Sequence, residues 1–78
     1  MKKIQIYTSP TCHYCHMAKD FFTGNAIPFE EFDVMADVEK RQEMIEKSGQ
    51  MGVPVIVIGE DEIMVGFDEK HLKSILGL

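Results

Sequence analysis

Apolar and polar positions along the chain fall into short alternating runs separated by amphipathic stretches. Residues 3 to 8, Lys-Ile-Gln-Ile-Tyr-Thr, show some of the two-residue period of a strand, and Ser9-Pro10-Thr11 interrupts it. From residue 14 the apolar positions are Tyr14, Met17, Ala18, Phe21 and Phe22, the spacing of one helix face. Gly24 and Asn25 end that helix. Phe29 to Val34, preceded by Pro28, reads as a second short strand. Asp37 is placed to cap a helix that runs to about Ser48 and stops at Gly49. Only Val38, Met44 and Ile45 are clearly apolar there, so this helix is mostly solvated, with Glu43 and Lys47 paired along it. Val53 to Ile58 is the most buried-looking run. Residues 59 to 62 form a hairpin loop, Ile63 to Val65 return as a short antiparallel strand, and Gly66 breaks it. Asp68 caps a last helix whose core face is Leu72, Ile75 and Leu76.

The predicted order is β-α-β-α-β-β-α. Its first half is a β-α-β unit, which places two strands parallel with a right-handed crossover. Its second half is a hairpin followed by a helix. Combined, they predict an α/β fold with a four-stranded mixed sheet and helices on both faces. The first helix then opens at the C-terminal end of the first strand, the edge where open α/β sheets place their sites. Val53-Pro54 and the Gly66-Phe67-Asp68 turn are expected to converge on the same edge.

Composition narrows the options. A chain of 78 residues is expected to form one domain over 1–78. With 45% of residues hydrophobic there is enough for a core. A chain of this size buries only about 60–65% of its unfolded surface. Thirteen acidic and 8 basic side chains give a net charge of −5, and no basic stripe exists, which argues against nucleic acid as a partner. No apolar run approaches the roughly 20 residues needed to span a membrane. Met1-Lys2-Lys3 leads directly into a strand pattern rather than an apolar leader, so a cytoplasmic location is expected.

The candidate chemistry lies at Cys12 and Cys15, the only two cysteines, set between the first strand and the first helix. Unpaired N–H groups at a helix start stabilise a thiolate over a thiol, which suits Cys12 as a nucleophile. Cys15, three residues on, returns to the same face. Cys12 can attack a substrate disulfide, and Cys15 can attack the resulting mixed disulfide. A structural staple fits less well. Thiols stay reduced in the cytosol. So short a loop also restricts the unfolded chain by less than the ~3 kcal/mol estimated for a 15-residue loop.

Two other chemistries share these residues. Cys12 to His16 also reads C-x-x-C-H, the haem-attachment pattern, with Met35, Met44, Met51 or Met64 as axial candidates. The strand patterns at 3–8 and 53–58 suit a small cytochrome poorly. A cluster shared between two chains could draw on Cys12, Cys15, His13, His16 and His71. A four-ligand zinc site within one chain is disfavoured, because adjacent helix residues point apart. The acidic loop 60 to 62 offers too few oxygens for calcium. No metal ligand set is assigned.

Three separated motifs agree in order and spacing. They are Tyr-Thr-x-x-Thr-Cys-x-Tyr-Cys-His-x-Ala-Lys from Tyr7, Ser-Gly-x-x-x-Val-Pro from Ser48, and Gly-x-Asp from Gly66. Together they resemble the glutaredoxins, a thioredoxin-fold family, and look most like the small bacterial glutaredoxin-like proteins related to thiol donors for ribonucleotide reductase. The resemblance implies a dithiol–disulfide oxidoreductase with Cys12 as nucleophile and Cys15 as resolving thiol. It implies that Pro54 is a cis-proline facing the cysteines and that Val53 pairs its backbone with bound glutathione or peptide. It further implies that Thr11 and Tyr14 line the groove, and that Gly66, Phe67 and Asp68 receive the γ-glutamyl end of glutathione. Glutathione is then a co-substrate, no cofactor is bound permanently, and the protein is a monomer whose partners are disulfide-containing proteins.

Some positions depart from the family. His13 stands where the family usually has proline in Cys-Pro-Tyr-Cys. Ser9 replaces a common lysine, Gln50 stands near a usual basic residue, and the double-glycine turn is reduced to Val65-Gly66. Each lost charge-assisted contact would weaken glutathione binding by about 1–2 kcal/mol. A thioredoxin-like carrier reduced by a flavoprotein of the thioredoxin-reductase type is therefore the alternative, alongside the cluster carrier.

Overall fold

The central strand is β1 (Ile4–Thr8), in a computed structural model that describes residues 3–60 and 62–78. After it come α1 (His13–Gly24), β2 (Glu30–Asp33), α2 (Val38–Ser48), β3 (Val55–Ile58), β4 (Glu62–Val65) and α3 (Glu69–Leu76). The sheet order is β2-β1-β3-β4. β1 runs parallel to β2, with Ile6 opposite Glu31, and antiparallel to β3, with Tyr7 opposite Val55. β3 and β4 are antiparallel. This is the expected α/β, thioredoxin-like arrangement with a mixed four-stranded sheet.

Alternation along the strands divides the core in two. Ile4, Ile6, Ile56, Ile58 and Met64 meet Ala18, Phe21 and Phe22 of α1 and Leu72 of α3 on one face. Tyr7, Val55 and Val57 meet Met44 of α2 on the other. Helices therefore cover both faces, as the β-α-β unit requires.

The α1 face differs from expectation. Tyr14 and Met17 are 58% and 40% exposed, while Cys15, Ala18, Phe21 and Phe22 are buried. A cysteine is small and apolar enough to take a core position, and it rotates the buried stripe away from Tyr14. α1 also runs to Gly24, and the left-handed residue beyond it is Ala26 rather than Asn25 (φ 54°). Asn25 contributes its side-chain amide, which donates to Phe21 O at 2.8 Å. Val38, one of three apolar residues expected in α2, is exposed, whereas Met44 is fully buried. β3 begins at Val55 rather than Val53, since Pro54 has no N–H to offer a ladder. β2 is shorter than expected and β4 begins one residue earlier. Asp61 of the acidic loop lies outside the described residues.

The caps form as predicted for α2 and α3. Asp37 accepts the Lys40 N–H at 3.1 Å, and Asp68 accepts the His71 N–H at 3.1 Å. Gly49 closes α2 in the left-handed region (φ 74°), a conformation that costs glycine nothing. Among the described residues no helix is long and apolar enough to cross a membrane.

α2 is fastened by a polar network that hydrophobic patterning does not reveal. The buried Tyr7 hydroxyl donates to Glu43 Oε1 at 2.5 Å. Lys40 and Lys47 each reach the same carboxylate at 3.2 Å. Burial, and then the bond to Glu43, raise the Tyr7 phenol above its ordinary range. The Tyr7 bond, followed by the two lysines, holds Glu43 at about 2. A depressed carboxyl adds stability above its unfolded value near 4.5, and that stability is lost as pH falls towards 2. Tyr7→Phe is expected to cost about 1–2 kcal/mol at neutral pH. It should also flatten the decline of stability through the acid window, as read from denaturant melts at several pH values. An acid slope equal to wild type would refute this coupling.

Candidate active site

β1 ends at Thr8, and the chain turns through Ser9, Pro10 and Thr11 with the Cys12 N–H donating to Ser9 O at 3.3 Å. Cys12 then stands as the N-cap of α1, with extended backbone (φ −86°, ψ 110°). Its Sγ accepts the Cys15 N–H at 3.1 Å, and its carbonyl accepts the His16 N–H at 3.3 Å. The sulfur occupies the place that a carboxylate holds at the starts of α2 and α3. It faces the positive end of the helix, the electrostatic setting that a nucleophilic thiolate needs.

The two cysteines are not equivalent. Cys12 is half-buried and Cys15 is buried, and neither forms a disulfide. Burial pushes the Cys15 thiol up to about 12, helped by its hydrogen bond with Cys12 and the charge of that residue. The Ser9 backbone and the Lys19 ammonium pull the other way. Cys15 thus keeps its proton beneath a partner open to attack from solvent.

The other sequence-predicted residues reach the same end of the sheet through its topology. Tyr7 at the end of β1 faces Val55 at the start of β3, so the Val53-Pro54 segment lies at the edge that Ser9 leaves. The Val53-Pro54 peptide is cis, as the resemblance implied. Pro54 O accepts the Gly66 N–H at 2.8 Å, tying the turn after β4 to this segment. Gly66 sits at φ 84°, where a Cβ would cost roughly 1–2 kcal/mol. Thr11 is exposed in the turn, and Tyr14 is exposed with its ring edge-on to His13 at 5.6 Å. Val53 packs against the cluster under α2. The Phe67 ring turns inward onto Phe21 at 6.0 Å. Asp68 has one oxygen committed to capping α3.

Positive charge is scarce here. Gln50 closes on its own loop, donating to Gly52 O at 2.9 Å and accepting the Gly52 N–H at 2.6 Å. Lys40 and Lys47 are bound to Glu43. Among the described residues no three His, Cys, Asp or Glu side chains gather as a metal site.

Sequence reasoning missed a polar group beside Cys15. Thr8 Oγ1 donates to Glu31 Oε2 at 2.8 Å, and Lys19 Nζ donates to the same oxygen at 2.8 Å. Lys19 first, and then Thr8, hold the Glu31 carboxyl below its ordinary range against the opposing effect of burial. Lys19 stands four residues after Cys15, a spacing that puts it on the same helix face. The Glu31 partner follows only from the β1–β2 register.

Known proteins agree with this geometry. The glutaredoxin family model matches residues 4–63. Glutaredoxin 3 of Escherichia coli K12 is 40% identical over 63 residues, covering 81% of this chain and 76% of that protein. The crystal structure of the thioredoxin-like protein BC3987 superposes with a TM-score of 0.86 at 33% identity, covering 94% of this chain and 99% of that one. The glutaredoxin-like NrdH-redoxin of Escherichia coli, described as having a thioredoxin-like activity profile, superposes at 0.80 with 27% identity, covering 94% and 93%. A cysteine pair at a strand-to-helix junction, a cis-proline at the same edge of the sheet and a family match over most of its length place this chain in the glutaredoxin family.

Proposed function

We propose that the protein is a dithiol–disulfide oxidoreductase that reduces disulfides in other proteins. The observation that carries this reading is the bond from the Cys15 N–H to Cys12 Sγ at 3.1 Å, with Cys15 buried behind it. Cys12 attacks a substrate disulfide as thiolate. A bond forms between Cys12 Sγ and one substrate sulfur, and the other leaves with its electron pair. Cys15 then gives up its proton and attacks Cys12 Sγ. The captured sulfur departs as a thiol, and a Cys12–Cys15 disulfide remains. The substrate gains two electrons and the pair loses two. A thiol reductant restores the pair. The reading suits the cytoplasm, where such a pair is kept reduced, and it needs no resident cofactor.

Glutathione is one reductant that the site could accept. Val53 would offer its backbone to the cysteinyl part. The Gly66–Asp68 turn would meet the γ-glutamyl end through N–H groups and the second Asp68 oxygen, and Thr11 and Tyr14 would border the sulfur. A specific observation favours a second reading. Ser9 carries no charge, and the Gln50 amide is turned onto Gly52, so neither offers a cation to the glycyl carboxylate. A dithiol carrier reduced by a thioredoxin-reductase-type flavoprotein fits this arrangement. The likeness to a glutaredoxin-like protein with a thioredoxin-like activity profile supports the same view.

The two are separated by turnover of a peptide–glutathione mixed disulfide and of a protein disulfide. Each is assayed first with glutathione and its reductase, then with thioredoxin reductase. Faster reduction by the flavoprotein supports the carrier, and faster reduction through glutathione supports a true glutaredoxin. No turnover with either donor would remove the oxidoreductase reading.

A further inference from the structure

The second half of this exchange poses a physical difficulty. Cys15 is 1% exposed, and its thiol must ionise before it can attack. In the reduced protein Cys12 Sγ lies against it, accepting the Cys15 backbone N–H. Once Cys12 is bonded to substrate, that sulfur is neutral and can no longer take up a proton. A buried thiolate needs stabilisation from fixed charge or hydrogen bonds.

One turn beyond Cys15 on α1, Lys19 lies on the helix side turned towards β1 and β2, where its side chain is only 25% exposed. Its ammonium is held by Glu31 Oε2, and Thr8 donates to the same oxygen. Thr8 is itself buried, and the two-residue alternation of β1 places it with Ile4 and Ile6 on the sheet face that α1 covers. The lysine is thus kept from swinging into solvent.

We propose that Lys19, held by Glu31 and Thr8, is a positioning residue for the resolving step, its ammonium stabilising the Cys15 thiolate that expels the captured substrate. The proposal rests on the dithiol reading above. In the step, the Cys15 S–H bond breaks and the Cys15–Cys12 bond forms. The Cys12–substrate bond breaks, and the departing sulfur keeps the electron pair and takes up the proton. Lys19 keeps its own proton throughout. The same ammonium weighs against the burial that raises the Cys15 thiol.

An aromatic disulfide whose thiolate is coloured, of the dinitrobenzoate type, separates the two halves. One equivalent of colour is released on attack by Cys12, and a second when Cys15 resolves the adduct. Lys19→Gln should slow the second phase about threefold, since a tenfold loss of thiolate is partly offset by the greater nucleophilicity of a more basic sulfur. Lys19→Arg keeps the charge and should recover most of that rate. In a Cys15→Ser background the second phase is lost, and adding Lys19→Gln should leave the first phase as it was. Equal slowing of both phases, or a second phase unchanged in Lys19→Gln, would overturn the proposal. So would failure of Lys19→Arg to recover the rate while its thermal melt matches wild type. Colour release that persists in Cys12→Ser would instead strike at the dithiol reading itself.

Discussion

Cys12→Ser reduces disulfide exchange to the uncatalysed background, because a serine hydroxyl does not ionise at neutral pH and cannot replace the attacking sulfur. Cys15→Ser behaves differently. It leaves the half-buried Cys12 sulfur in place at the start of α1, so attack proceeds, but nothing releases what is captured. Incubated with a disulfide-containing protein, this variant accumulates a one-to-one mixed disulfide that a thiol reductant reverses. Intact-mass spectrometry reads both outcomes directly. Capture by Cys12→Ser and none by Cys15→Ser would reverse the assignment. The expectation follows from the difference in burial, with Cys12 half open to solvent and Cys15 closed from it. A serine at 15 also retains the backbone N–H that bonds Cys12 Sγ.

Phe22→Ala carries the largest expected effect on stability. Phe22 is fully buried, with its ring 5.7 Å from Phe21 and 5.4 Å from Phe29. Removing a buried phenylalanine side chain costs about 3–5 kcal/mol. A domain of this size has roughly 4–12 kcal/mol to lose. The variant should therefore unfold at a far lower urea concentration than wild type. A loss under about 1 kcal/mol would show that α1 is not the main partner of the sheet on that face. Phe22 lies about two helical turns beyond Cys15 on α1, away from the N-terminal end that carries the sulfurs, so any remaining folded protein should keep exchange activity.

The order of elements was legible because each boundary has its own local chemistry. Asp37 and Asp68 cap helices by reaching N–H groups three residues ahead, a relation written entirely in the sequence. Cys12 and Cys15 were legible for the same reason, as one helical turn brings them together. What escaped depends on partners distant along the chain. The spacing of Tyr14 and Met17 fits a core face as well as Cys15 does, and only the placement of α1 against Ile4, Ile6 and Ile56 decides between them. The Tyr7–Glu43 bond joins residues 36 apart in sequence, and Thr8–Glu31 joins residues 23 apart. Neither can be found before the strands are in register. Phe67 was legible as part of a turn, but the inward direction of its ring was not.

β1 lies between β2 and β3, and this has a bearing on how the protein comes into being. Ile4 is made well before its antiparallel neighbour Ile58, so one flank of the middle strand stays bare until β3 has been synthesised. A nascent chain that has progressed only through α2 can offer β1 no partner but β2, which leaves an open hydrogen-bonding margin beside Ile4 and Ile6, an invitation to mispairing with other chains. Closure waits on contacts of long sequence separation, which lengthens folding for so small a molecule. The strand that leads into the reactive sulfur is flanked on both sides only once β3 is in place, so disulfide exchange is expected only from a chain that has folded through β3.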